Sequence, residues 1–358
     1  MATVDSLPRV NASQDRATRA RQAHLWLGAL LLVVSYLSLT VGASDVTLPD
    51  VARKLLTGEP LTRLEHVVLF DIRLPRLFVG IGVGAALAVS GAVLQGLFRN
   101  PLADPGLVGV SAGAGVGAVS AIVLGGALPP GISALIGTAI VPTAAFVGGW
   151  ATTLLLYSVA TRRGRTSVAT MLLAGLAIGA LASAAQGVFV FRADDQQLRD
   201  LNFWLLGSLS GSSWSKALMS LPMIALSLGA AFLLLGRGLN GLALGEATAS
   251  HIGFDVQRIK GVAILCVASA VGAAVAVSGG IGFIGIVVPH LLRLATGPDH
   301  RMLLINAGLL GASLLLAADI IARVVIAPAE LPIGIVTAIL GSPVFLWILL
   351  RQRGIVDL

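Results

Sequence analysis

The chain is a series of long uncharged runs parted by short charged gaps. Residues 25–43, 77–98, 166–191, 217–236 and 332–350 carry no Asp, Glu, Lys or Arg, and residues 302–326 carry only Asp319 and Arg323. Two further stretches, 105–161 and 261–292, are equally free of these charges but too long for one crossing. A helix of about 20 residues, rising 1.5 Å per residue, spans a hydrocarbon core about 30 Å thick. The turn signal Leu128-Pro129-Pro130-Gly131 divides the first long stretch, and Ser278-Gly279-Gly280 divides the second. The pattern therefore predicts ten membrane-spanning helices.

The gaps have patterns of their own. Residues 45–71 read as a mixed-charge loop. Residues 201–215, with Trp204 and Trp214, are too short to cross and predict a short helix on the outer membrane surface. Residues 240–255 hold too few apolar positions to cross, and Gly245 and Gly253 break them into two short amphipathic helices. The first apolar run exceeds the roughly 7–15 residues of a signal-peptide core and reads as a retained span. The expected organisation is a polar tail over 1–24, one transmembrane domain over 25–352 and a tail over 353–358.

Composition narrows the class. Of 358 residues 56% are hydrophobic and only 11% charged, with a mean hydropathy of +0.93; soluble domains carry about 25% charged residues. Lipid leaves backbone groups without water as a partner, so spanning segments are helices or closed barrels. Long continuous runs exclude the short alternating strands of a barrel. The expectation is an all-α integral membrane protein in contact with the bilayer. The net charge of +7 shows no basic cluster with interleaved aromatics, so nucleic acid is not an expected partner. Most arginines lie in the gaps. One set of gaps holds the N-terminal arginines, Arg99, Arg162, Arg163, Arg165, Arg237, Arg258, Lys260, Arg293, Arg301, Arg351 and Arg353. The other set dilutes its basic residues with Asp45, Asp50, Glu59, Glu65, Asp71, Asp194, Asp195 and Asp200. The positive-inside rule makes the first set cytosolic, and with it both termini. Cys266 is the only cysteine, so no intrachain disulfide can form.

Several positions stand out chemically. Arg73 and Arg76 flank Pro75, and Arg323 follows Asp319 by four residues, which puts the last two on one helix face. All three arginines fall at expected external helix ends, where interfacial anchoring is one reading. Gly109, Gly113 and Gly117 recur at four-residue spacing and predict a bare face for close helix packing. Asn100 and Leu102 lie in a short polar hinge, and Thr166 and Ser167 open a span; helix capping is the plain reading for such groups. No GxxxxGK[ST] occurs, so the chain is not its own ATPase. The five histidines are scattered, with no pair at ligand spacing, and neither a metal site nor a catalytic residue is expected. An ion-coupled secondary transporter or channel is the alternative class; it calls for ionisable groups in mid-span, and only Asp319 and Arg323, near a helix end, come close.

Five motifs, in order, carry a resemblance over residues 71–358. RLPR, SGAVLQGLFRNPLADPGLVGVSAGAG, LALGEATASHIGFDV, DIIAR and APAELPIGIVTAILGSPVFLW resemble the FecCD/BtuC-like permeases of type II ABC importers for haem, ferric siderophores and vitamin B12. The resemblance implies a BtuC-like fold in a bacterial inner membrane, working as a homodimer with two copies of an ABC ATPase and one periplasmic substrate-binding protein. ATP and Mg would be held by the ATPase, and no cofactor by this chain. Arg73, Arg76 and Arg323 would receive acidic residues of the binding protein, with Asp319 orienting Arg323. Leu242, Leu244, Gly245, Glu246, Ala249, Gly253 and Phe254 would couple to the ATPase, with Ile252 in place of the motif's last leucine. Asn100, Leu102, Thr166 and Ser167 would lie at the cytosolic gate. The wording is nearest to haem permeases, then siderophore, then cobalamin permeases.

Overall fold

A computed structural model describes residues 11–42, 44, 46–127, 129, 131, 137–162 and 165–356. The turn expected at 128–131 therefore lies largely outside the described residues. Among the described residues, seven helices are long and apolar enough to cross a membrane: α1 (Asn11–Thr40, apolar from Thr18), α3 (Arg63–Phe98), α5 (Ile140–Ala160), α6 (Val168–Arg192), α8 (Trp214–Leu234), α11 (Val256–Ser278) and α13 (His300–Val324). Three shorter apolar helices, α4 (Val110–Leu124), α12 (Ile284–Thr296) and α14 (Ile333–Val356), occupy the remaining expected spans. The gaps hold α2 (Leu48–Thr57), α7 (Asp195–Leu206), α9 (Gly236–Ala243) and α10 (Glu246–His251).

Helix α3 is the centre. Its most apolar window is 83% buried within the chain, against 17% for α6 and 11% for α1. It packs on α13, α11, α12 and α8, while α4 packs on α5, and α1 lies along α13. The pairing of α4 with α5 depends on missing side chains. A Cβ on Gly113 would lie 2.4 Å from the Gly148 carbonyl oxygen, and one on Gly117 would lie 2.0 Å from that of Ala144. Gly109 plays a different part: it precedes the helix with φ +75° and ends a short 3₁₀ turn.

Several boundaries differ from the sequence reading. The N-terminal polar stretch is helical from Asn11, continuous with the first apolar run. Residues 45–71 are not a simple loop. They contain α2, capped by the Thr47 side chain at one end and by Gly58 at φ 74° at the other. Val51 of α2 is buried against Val46, Val68 and Leu69. The helix expected over 201–215 is α7, beginning before residue 201 and ending at Leu206, because Asp194 and Gln197 form a capping box at its start and Gly207 stops it. The short helix pair α9 and α10 starts at Gly236, ahead of the expected 240. The expected all-helical membrane fold is found, with one short antiparallel ladder among the described residues, β1 (Thr161–Arg162) with β2 (Arg165–Thr166), between α5 and α6.

Helix α3 widens into a π-helical stretch over Val67–Arg73. Pro75 has no N–H to return to the Asp71 carbonyl, and the Leu74 N–H bonds Leu69 O, five residues back. This local widening carries the approach to Arg73 and Arg76.

Candidate functional site

Two polar clusters sit at opposite ends of α13. Twenty-five residues long, that helix separates them by about 37 Å at 1.5 Å per residue.

The cluster at the C-terminal end of α13, expected to be external, gathers the three arginines, but not as exposed charges. Arg73, Arg76 and Arg323 are 4%, 5% and 7% exposed, and Asp319 is 0% exposed. Arg76 donates from Nη2 to Asp319 Oδ1 at 2.8 Å and from Nε to the same oxygen at 3.0 Å. Its other edge holds Glu330 through two bonds of 2.9 and 3.0 Å. Arg323 reaches Asp319 Oδ2 at 3.1 Å, and also donates to Ser38 Oγ and the Ser38 and Val41 carbonyls. Arg73 donates to the carbonyls of Leu39 at 2.6 Å and Val46 at 2.7 Å. The last carbonyls of a helix have no partner within it; here two guanidinium groups supply partners at the end of α1. One carboxylate between two arginines, with carbonyls around the third, satisfies groups that would otherwise be costly to bury. Neither the interfacial-anchor reading nor an open charged face describes this arrangement. The arginines face inward, and Glu330, with a side chain 36% exposed, is the member nearest solvent. Burial alone would raise the Glu330 carboxyl; its bonds to Arg76 outweigh that and hold it below its ordinary value.

The second cluster, at the N-terminal end of α13, is built from α9, α10 and the starts of α11 and α13. Gly245 at φ +103° and Gly253 at φ +95° end α9 and α10 with turns that side-chain-bearing residues resist. Leu242 and Ala249 point into the protein at 2% and 0% exposure, and Phe254 packs against Gly241. Leu244 and Ile252 face outward at 65% and 56% exposure. The result is a small apolar surface facing away from the helix core. Behind it, Asn240 of α9 donates to Asp299 Oδ1 at 2.7 Å and accepts from the His300 backbone N–H at 2.9 Å, which ties the segment to the start of α13. Burial opposes ionisation of Asp299, but Arg301 and Asn240 overcome it and hold the carboxyl at about 2. Glu246 lies 2.8 Å from Lys260 Nζ.

The four expected gate residues do not converge through their side chains. Asn100 Oδ1 accepts from the Leu102 N–H at 2.9 Å, closing the hinge turn. Ser167 caps α6 by accepting from the Thr170 N–H. Thr166 ends β2, is 6% exposed, and donates its N–H to Gln257 Oε1 at 3.0 Å. Sequence reading passed over Asn240, Gln257 and Glu330, and counted Lys260 only as cytosolic charge. One signal was available: Val256, Lys260, Ala263, Ile264 and Val267 lie on one face of α11, and all are buried.

The profile of the FecCD transport family matches residues 30–351. The chain belongs to that family. It is 45% identical over 339 residues to the hemin transport system permease protein HmuU of Yersinia pestis, covering 93% of this chain and 97% of that protein. It is 42% identical over 333 residues to the vitamin B12 import system permease protein BtuC of Shigella boydii, covering 92% of this chain and 95% of the relative. Among solved structures, a metal-chelate type ABC transporter in an inward-facing conformation superposes with a TM-score of 0.80 at 31% identity, covering 92% of this chain and 99% of the other. This FecCD chain is thus a multi-pass permease subunit of an ABC importer, and ATP hydrolysis is not its own activity. Family membership sets aside the ion-coupled alternative.

Proposed function

We propose that this chain is one half of a homodimeric type II importer that carries an iron complex inward, with hemin the first choice of cargo, a ferric siderophore the second and cobalamin the third. The observation that supports hemin over cobalamin is the identity to the hemin permease, 45%, over that to the B12 permease, 42%; the place of a ferric siderophore rests on the sequence resemblance alone. All ten apolar helices cross the bacterial inner membrane, and both termini are cytosolic. The surface around Leu244 and Ile252 receives one ATPase subunit, which holds ATP and Mg. The segment from Leu242 to Phe254, with Gly245, Glu246, Ala249 and Gly253 shaping it, passes the ATPase's movement into the membrane helices. Asn100, Leu102, Thr166 and Ser167 belong to the inner gate as backbone-shaping residues rather than as a ring of contacting side chains.

The outer face receives the substrate-binding protein. The family assignment of Arg73, Arg76 and Arg323 is kept here in an altered form. Their guanidinium groups hold α1, α3, α13 and Glu330 in place, and so shape the docking surface from beneath. The test of this function is uptake into liposomes containing the permease, its ATPase and its binding protein, with hemin, a ferric siderophore and cobalamin compared. ATP-dependent uptake of hemin above the other two is expected. Preferential uptake of cobalamin would overturn the cargo ranking, and uptake indifferent to ATP would overturn the function.

A further inference from the structure

Lys260 lies in the first turns of α11 with 2% of its surface exposed. A buried ammonium is costly unless its donors are satisfied. Here Nζ has two partners on different elements. One is Glu246 Oε1, at 2.8 Å, from the first turn of α10. The other is the Thr166 backbone carbonyl, also at 2.8 Å. One turn earlier on α11, Gln257 accepts the N–H of the same Thr166 at 3.0 Å. Both backbone groups of Thr166 are therefore held by α11, immediately before Ser167 caps α6.

The elements joined in this way differ in how firmly they are embedded. The apolar window of α11 is 78% buried in the chain, that of α6 only 17%. Helix α10 is a six-residue element on the surface, and the Glu246 side chain is 43% exposed. Lysine suits such a junction. Its charge sits at the end of a flexible four-carbon stem with rotatable donors, so it can follow a shifting carboxylate while keeping a second bond. An arginine fork would demand one fixed plane.

We propose that Lys260 is a positioning residue that links the ATPase-facing segment to the inner end of α6, so that displacement of Glu246 is delivered to Thr166. This deepens the transport reading above and rests on it. The charge is retained for registry between three elements, not for net stability, the best-attested use of a buried ion pair. Removing it should separate ATP hydrolysis from transport.

The experiment uses the complete complex in liposomes and reads ATP hydrolysed per hemin imported. Lys260→Met removes the charge at nearly constant length, and Glu246→Gln removes the partner's charge at an exposed site that tolerates substitution. Each is expected to raise the ratio on the order of tenfold. The double variant is expected to be no worse than the worse single one, because the two groups act through each other. A purely structural role would lower hydrolysis and uptake together, in step with the amount of assembled complex. An unchanged ratio in both variants, or additive effects in the double, overturns the proposal. Should Lys260→Met fail to assemble, Glu246→Gln decides alone: an unchanged ratio refutes the link. Failure of the wild-type complex to couple uptake to ATP would instead refute the transport reading, so the two failures are distinguishable.

Discussion

Asp319 shows what could be read at the scale of single residues and what could not. Its four-residue spacing from Arg323 places both on one helix face, and the pair forms at 3.1 Å. Its bond to Arg76 joins positions 243 residues apart, and no local pattern announces that. Burial was equally hidden, because an arginine at a helix end can turn inward or snorkel outward with the same sequence around it. Glu330 gives the residue-scale test. Its carboxyl is held below the ordinary value of 4.5, with burial raising it and the Arg76 bonds prevailing. A depressed folded pKa contributes stability that is complete above the unfolded pKa and is lost as pH falls through the folded one. Glu330→Gln should therefore lower the melting temperature at pH 7. The gap to wild type should hold down to about pH 5 and close as the pH drops below the ordinary carboxylate value. Melting curves of purified protein between pH 3 and 8 would show it, and a gap that widens toward acid would contradict the assigned pair.

At the scale of elements, what the sequence encodes most plainly is long apolar length. Each of the ten expected apolar spans corresponds to an apolar helix, since lipid admits few other solutions. Elements that owe their form to caps or to tertiary contacts were not legible. Helix α2 is ten residues of mixed charge, bounded by the Thr47 cap and Gly58 and held by the packing of Val51 on the π-helical stretch. The hairpin between α5 and α6 is two residues per strand, below any periodic signal. The π-helical stretch follows from Pro75, but proline at that position reads equally well as a simple helix start. The glycine spacing in α4 did encode a contact, though Gly109 serves a turn instead. Close approach at Gly117 has a direct consequence: a Cβ there would lie 2.0 Å from a backbone carbonyl oxygen, which no rotamer can relieve. Gly117→Val should push α4 from α5 and cost about 1–3 kcal/mol or more, while Gly125→Ala, with open space around its Cβ, should be nearly silent. Detergent melting temperatures of the two variants side by side would decide, and equal stability would mean that α4 and α5 are not in this contact.

The whole molecule is organised by an axis that no single residue reveals. Helix α13 begins beside Asn240 and Asp299 at one end and finishes with Asp319 and Arg323 at the other. The segment proposed to meet the ATPase and the Glu330 surface must then lie on opposite sides of the bilayer if α13 crosses it. Charge gives the expectation for the sides. The segment around α9, α10 and the start of α11 carries Arg237, Arg258 and Lys260 with Glu246 and Asp255, and α7 and its flanks carry Arg192, Arg199 and Lys216 with Asp194, Asp195 and Asp200. Across the whole chain the gaps that include the first group hold more of the basic residues, so the positive-inside rule leads us to expect the first group to be cytosolic and the second external. The only cysteine, Cys266, is buried and can be replaced by Ala to give a blank background. On that background Gln196→Cys and Arg258→Cys place one thiol on an exposed position of each side. In sealed right-side-out vesicles a membrane-impermeant maleimide should label position 196 at once and position 258 only after permeabilisation. Labelling of both before permeabilisation would break the ten-span arrangement. Labelling of position 258 alone would invert it, and would put Leu244 and Ile252 on the side of the membrane where no ATPase can reach them.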